Sequence, residues 1–107
     1  MEKLIGLFHI SRKAGKILLG KTAVLDKAKS DRSILIIVSR DAGADLIRKL
    51  KEFDFVGIDL SSDQMGEIFN RSRLSVLAIT DGGLAANIRD TIKQESWGYS
   101  DPAGKSL

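Results

Sequence analysis

"SILIIVSRDAGADLIRKLKE", residues 33–52, joins an unbroken apolar, β-branched run to a segment whose apolar positions recur every three or four residues. Ser33 to Ser39 holds five consecutive apolar residues with no polar alternation, the pattern of a strand covered on both faces. Asp41 then reads as the N-cap of a helix through about Glu52. A two-sided strand needs a layer above it and a layer below. Outward from this centre, residues 3–14 place Leu4, Leu7 and Phe8 on one helical stripe, with Gly15 as the helix stop. Ile17-Leu18-Leu19 is long enough only for a brief strand, ending at Gly20, and a second helix runs from about Lys21 to Lys29. Downstream, Phe55 to Leu60 reads as a strand, Ser62 to Phe69 as a short helix with a Ser/Asp cap, Leu74 to Thr80 as a strand, and Gly82 to about Gln94 as the last helix. This alternation predicts an α/β fold, a three-layer α-β-α sandwich around a small mixed sheet. Residues 1–95 form the expected single domain. Ser96 to Leu107, with the only proline, is expected to be a mobile tail. Trp97 and Tyr99 within it are able to stack on bases, but packing back onto the domain is the better reading.

The chain has 107 residues, 43% hydrophobic and 29% charged, which suits one core burying about 65% of the unfolded surface. With no cysteine, disulfides, thiolate catalysis and zinc-finger spacings are excluded, and a cytoplasmic location is expected. No apolar run approaches the roughly 20 residues of a membrane span, and no signal-peptide pattern is expected at the N-terminus. The formal charge of +3 is unevenly spread. Residues 1–32 carry eight Lys and Arg against three acids, a net of +5, and the remainder carries nine against eleven, a net of −2. Such asymmetry favours a phosphate-rich partner through steering and counterion release.

Enzyme chemistry finds little support. Asp81-Gly82-Gly83 lacks the lysine and spacing of a P-loop, and the acid would repel an anion, so Asp81 is read as a helix cap. His9 is the sole histidine, lies mid-helix without a nucleophile motif, and is assigned a structural or surface role. One histidine and scattered carboxylates make no metal-ligand set. The cluster in "SRKAGKILLGKTAV", residues 11–24, differs: Arg12, Lys13, Lys16 and Lys21 flank a helix end and a helix start, with no acid among them. Together with backbone amides around Gly20 and Lys21, they are expected to share one face suited to a phosphodiester backbone.

Four segments, "LIGLFHISRKAGKILLGKTAVLDKA" (4–28), "ILIIVSRDAGADLIRKLKE" (34–52), "QMGEIF" (64–69) and "VLAITDGGLAANI" (76–88), resemble the ribosomal-protein family that recognises kink-turn RNA. The resemblance is strongest to its small bacterial YlxQ-like branch. It implies an α-β-α fold, no catalysis, no cofactor, and RNA binding by the start of the second helix with the loop before the strand at 74–80. Carried over by position, Gly20, Lys21 and Thr22 form that helix start, Asn70, Arg71, Ser72 and Arg73 form the loop, and Arg12, Lys13 and Lys16 flank them.

Kink-turn binders of this family typically show G-x-N-E-x-x-K at the helix start, reading sheared G·A pairs with Asn and Glu. Here Thr22 replaces the asparagine, Ala23 the glutamate and Asp26 the lysine, while Lys27 is turned about 100° around the helix. The family's small apolar loop residues are replaced by Asn70-Arg71-Ser72-Arg73, which suit phosphates. The expectation is a non-enzymatic, monomeric RNA-binding protein of translation or the ribosome, with altered base reading and structured RNA or ribonucleoprotein proteins as partners. The alternative is a protein-interaction adaptor on the same fold without RNA affinity. A small enzyme built on the Asp81 loop is the weakest reading.

Overall fold

The expected central strand lies third of five in the sheet. In the computed structural model, which describes residues 2–95 and 98–99, β2 spans Leu35–Val38 and all four residues are buried. The sheet order is β1-β4-β2-β3-β5, with β1 at Ile17–Leu19, β3 at Phe55–Ile58, β4 at Val76–Ile79 and β5 at Gly98–Tyr99. β2 pairs parallel with β3 (Ile36↔Phe55) and antiparallel with β4 (Leu35↔Ile79, Val38↔Val76). β1 closes one edge antiparallel to β4, and β5 the other antiparallel to β3. The sheet is mixed, as expected.

Because side chains alternate along a strand, β2 feeds two cores. Leu35 and Ile37 join Leu4 and Phe8 of α1 (Glu2–Lys13), Met65 of α4 (Ser62–Ile68), and Ile88 and Ile92 of α5 (Gly82–Gln94). Ile36 and Val38 face the other way, onto Val24 and Ala28 of α2 (Lys21–Ser30) and Leu46, Ile47 and Leu50 of α3 (Ala44–Leu50). This is the three-layer sandwich, and it explains why the run at 34–38 contains no polar residue.

Helix ends follow the expected chemistry with one exception. At the end of α1, Lys16 N donates to Ser11 O (2.8 Å) and Gly15 N to Arg12 O (3.0 Å), the paired bonds of a Schellman stop. Ser61 and Gln64 form a reciprocal capping box on α4, and Asp81 accepts from Leu84 N (2.9 Å) on α5. Asp41 does not cap α3. Gly43 is the N-cap there, and the helix is shorter than expected, ending at Leu50. The Asp41 carboxylate instead accepts from Ser62 N (2.8 Å) and Ser62 Oγ (3.0 Å), serving the first turn of α4 across the sheet's end. Within the segment expected to be a tail, Gly98–Tyr99 add the fifth strand, while Ser96, Trp97 and residues 100–107 lie outside the described residues.

Candidate nucleic-acid interface

Two segments fifty residues apart meet at the end of the sheet where β4 begins. The first is the turn from β1 into α2. Gly20 N donates to Val76 O (3.0 Å), extending the β1–β4 ladder by one bond, and φ of 95° then turns the chain into α2. That φ suits glycine, since a Cβ would be strained there. The Gly20 amide, expected to be free, is therefore used by the sheet. The first helical bond is Val24 N to Gly20 O, so the amides of Lys21, Thr22 and Ala23 have no carbonyl within the helix. No side chain caps them, and the first turn holds no acid.

The second segment is the loop after α4. The chain leaves the helix through Asn70, at φ 59°, a conformation asparagine tolerates better than most residues. Arg71 N donates to Gly66 O (2.8 Å), and the loop lies flat on α4 because Gly66 has no side chain. A Cβ there would stand 2.6 Å from Arg71 O and 3.1 Å from Arg73 N. Arg71 Nη1 ends 3.7 Å from the position a Cβ would take on Gly20, so the guanidinium lies over the start of α2. It has no hydrogen-bonding or ionic partner among the described residues.

Arg73 is held differently. Its Nη2 and Nε donate to Ser62 Oγ (2.9 and 3.2 Å), and it pairs with Asp41 (3.9 Å) and Asp63 (3.7 Å). Ser62 is fully buried, and its carbonyl also accepts from Leu74 N (3.0 Å). Burial raises the Asp41 carboxyl's pKa, but hydrogen bonds from Ser39 and Ser62 outweigh it and hold the group below the ordinary aspartate range. The carboxylate therefore stays charged opposite Arg73. The result is an open groove walled by Gly20, Lys21, Arg71 and Arg73, floored by Leu74 to Val76, and closed on the far side by Gly43 and Leu46.

Of the residues expected in the site, Gly20, Lys21, Arg71 and Arg73 are brought together here, with Thr22 and Asn70 exposed beside them. The expected single face of Arg12, Lys13, Lys16 and Lys21 is not formed. Lys16 O accepts from Thr80 N, whereas Gly20 pairs with Val76, so Lys16 and Lys21 stand at opposite ends of β1, about 16 Å apart along an extended chain. Lys13 is exposed at the end of α1, on the Lys16 side of that strand. Arg12, exposed at the end of α1, reaches across to α4: Nη1 donates to Phe69 O (2.9 Å) and its guanidinium lies 5.8 Å from the Phe69 ring centre. It braces the end of α4. Lys27 pairs with Asp31 (3.9 Å) farther along α2.

Sequence reasoning missed Asp41, Ser62 and Gly66, which position the loop. Gly66 carried a usable signal, since a glycine inside a seven-residue helix costs about 1 kcal/mol relative to alanine and implies a close backbone approach. The hydrogen bonds of Asp41 and Ser62 carried none. His9 lies 6.5 Å from the Phe69 ring, centre to centre, on an exposed turn of α1. Among the described residues no group of three or more His, Asp or Glu is arranged to hold a metal, and no helix is long and apolar enough to cross a membrane.

No protein-family model matches the chain, and no curated protein matches its sequence. Solved structures do. A Bacillus halodurans protein of unknown function superposes with a TM-score of 0.72 at 18% identity, over 85% of this chain and 97% of that one. A 15.5 kD RNA-binding protein of Giardia lamblia superposes with a TM-score of 0.60 at 21% identity, over 86% of each chain. What this chain shares with both is the α-β-α fold.

Proposed function

We propose that the chain is a non-enzymatic RNA-binding protein that grips the sugar-phosphate backbone of structured RNA in the groove between the start of α2 and the 70–73 loop. The observation that carries this reading is the approach of the unpartnered Arg71 guanidinium to the uncapped start of α2, with Lys21 alongside. Three sources of positive potential converge here, an arrangement suited to a phosphate. The Giardia protein of the same fold is an RNA-binding protein by name, which agrees with this reading. Thr22 and Ala23 offer neither the amide nor the carboxylate that read base edges in kink-turn binders, and Asp26 stands in place of their lysine, so recognition rests on backbone and shape. The setting that fits such a protein is translation or the ribosome in the cytoplasm, with the chain acting as a monomer.

Salt titrations test this. If Lys21 and Arg71 each neutralise a phosphate, removing both with alanine makes the slope of log affinity against log salt shallower by about 1.8, at roughly 0.9 per duplex phosphate. A control removing Arg89 and Lys93, exposed on α5 across the sheet, leaves the slope unchanged. Equal losses in both variants would mean diffuse attraction without a site.

A further inference from the structure

α2 and α3 lie side by side on one face of the sheet with their starts at the same end, since Lys21 and Leu46 both line the groove. Farther along, a second open groove follows the seam between these helices, with Leu25 and Phe53 at its base. Its walls carry Lys29, Arg48, Lys49 and Lys51 against a single acid, Glu52. That acid is engaged by Arg32 (3.9 Å), and Arg48 and Lys49 share Asp45 (2.9 and 3.4 Å). Lys29 and Lys51 have no ionic partner among the described residues. Lys29 lies eight residues beyond Lys21, about 12 Å along α2, with Asp45 of α3 between the two grooves, near Lys21 and paired with Arg48 and Lys49.

We infer that the α2–α3 seam is a second RNA contact, a track on which Lys29 and Lys51 hold the phosphates of a single-stranded segment flanking the structured part bound at the first groove. This rests on the proposed function and extends it. Charge and position select the occupant: the seam is cationic, and it lies along the helix whose start forms the first groove, toward the other end of the sheet. Its partly buried Leu25 offers a shallow apolar base rather than a deep pocket, which fits a strand passing over the surface.

The test uses the full chain with two synthetic RNAs, a ten-base-pair hairpin and the same hairpin with ten-uridine extensions at both ends. Wild type should bind the extended hairpin more tightly and with a steeper salt slope, by about 1.4 for two single-strand phosphates at roughly 0.7 each. Lys29→Ala/Lys51→Ala should bind the bare hairpin as wild type does and lose the added slope on the extended one. Lys21→Ala/Arg71→Ala should lose slope on both RNAs. Seam variants indistinguishable from wild type on the extended hairpin would overturn the inference while leaving the first groove intact. Equal loss on both hairpins would overturn it as unspecific attraction. Poly-glutamate competing at the seam as well as the extended RNA would overturn it in favour of an acidic protein partner. Failure of wild type to bind either hairpin would overturn the RNA reading itself, and this inference with it.

Discussion

At the scale of single residues, the groove depends on side chains that do not face a ligand. A methyl group at Gly66 would stand 2.6 Å from Arg71 O, a backbone atom that cannot move without moving the loop. Gly66→Ala should therefore cost about 1–3 kcal/mol of stability as an overpacked site and weaken RNA binding as well. Urea unfolding and an RNA titration of one variant check both effects, and unchanged stability would refute the packing argument. Asp41 gives a pH signature. Its carboxyl titrates lower in the folded chain than in the unfolded one, so its contribution is present above the unfolded value near 3.9 and is lost as pH falls through the folded value. Asp41→Asn should melt below wild type at pH 6, and the gap should close on acidification toward pH 3. A gap that stays constant across that range would show that Asp41 does not act through its charge.

At the scale of elements, α4 and α5 are held by polar contacts at their ends. Arg12 holds the last turn of α4 through Phe69 O and the Phe69 ring, so Arg12→Ala should cost about 1–2 kcal/mol, the sum of one charged hydrogen bond and a modest cation–π contact. Lys21→Ala should cost almost nothing, because exposed charges contribute little to folding. Thermal melts of the two variants separate a cation that builds the domain from one that serves a partner, and equal melting temperatures would refute that division. Asp81 caps α5 through Leu84 N. Removing the carboxylate with Asp81→Ala should lower stability by about 1 kcal/mol and leave RNA affinity unchanged. Loss of saturable sugar-phosphate or nucleotide binding in the same variant would instead support the enzyme reading.

For the whole molecule, the N-terminal excess of positive charge is divided among several surfaces. Arg12 lies against Phe69 at the end of α4, Lys16 beside Thr80, Lys21 at the groove, and Lys29 along the seam. If backbone contacts dominate binding, as proposed, a standard kink-turn should be preferred over a duplex of equal length by less than about 2 kcal/mol, the size of one good base contact. Titration of both RNAs at matched salt decides this. A preference of several kcal/mol would show that Thr22, Ala23 and Asp26 leave base reading intact.

The order and type of the elements, and the two-sided burial of β2, were legible in the residues alone. A strand's apolar pattern records which faces its own side chains bury, and helix stops such as Gly15 act within a few residues of themselves. The start of α2 and the loop at 70–73 were singled out together through motif position, and the structure brings Gly20, Lys21, Arg71 and Arg73 of these segments to one groove. Which cations share a surface was settled only by tertiary structure. The β1–β4 register puts Gly20 beside Val76 and Lys16 beside Thr80, so three residues of strand separate charges that look adjacent in the chain. Asp41, twenty-one residues from Ser62, could not announce its partner, because a local cap and a distant one require the same residue type. Arg12 and Arg71 are alike in composition, yet one supports the fold and the other stands free. That difference lies in which backbone carbonyl each can reach, and only the packed arrangement of α1, α4 and β4 sets those distances.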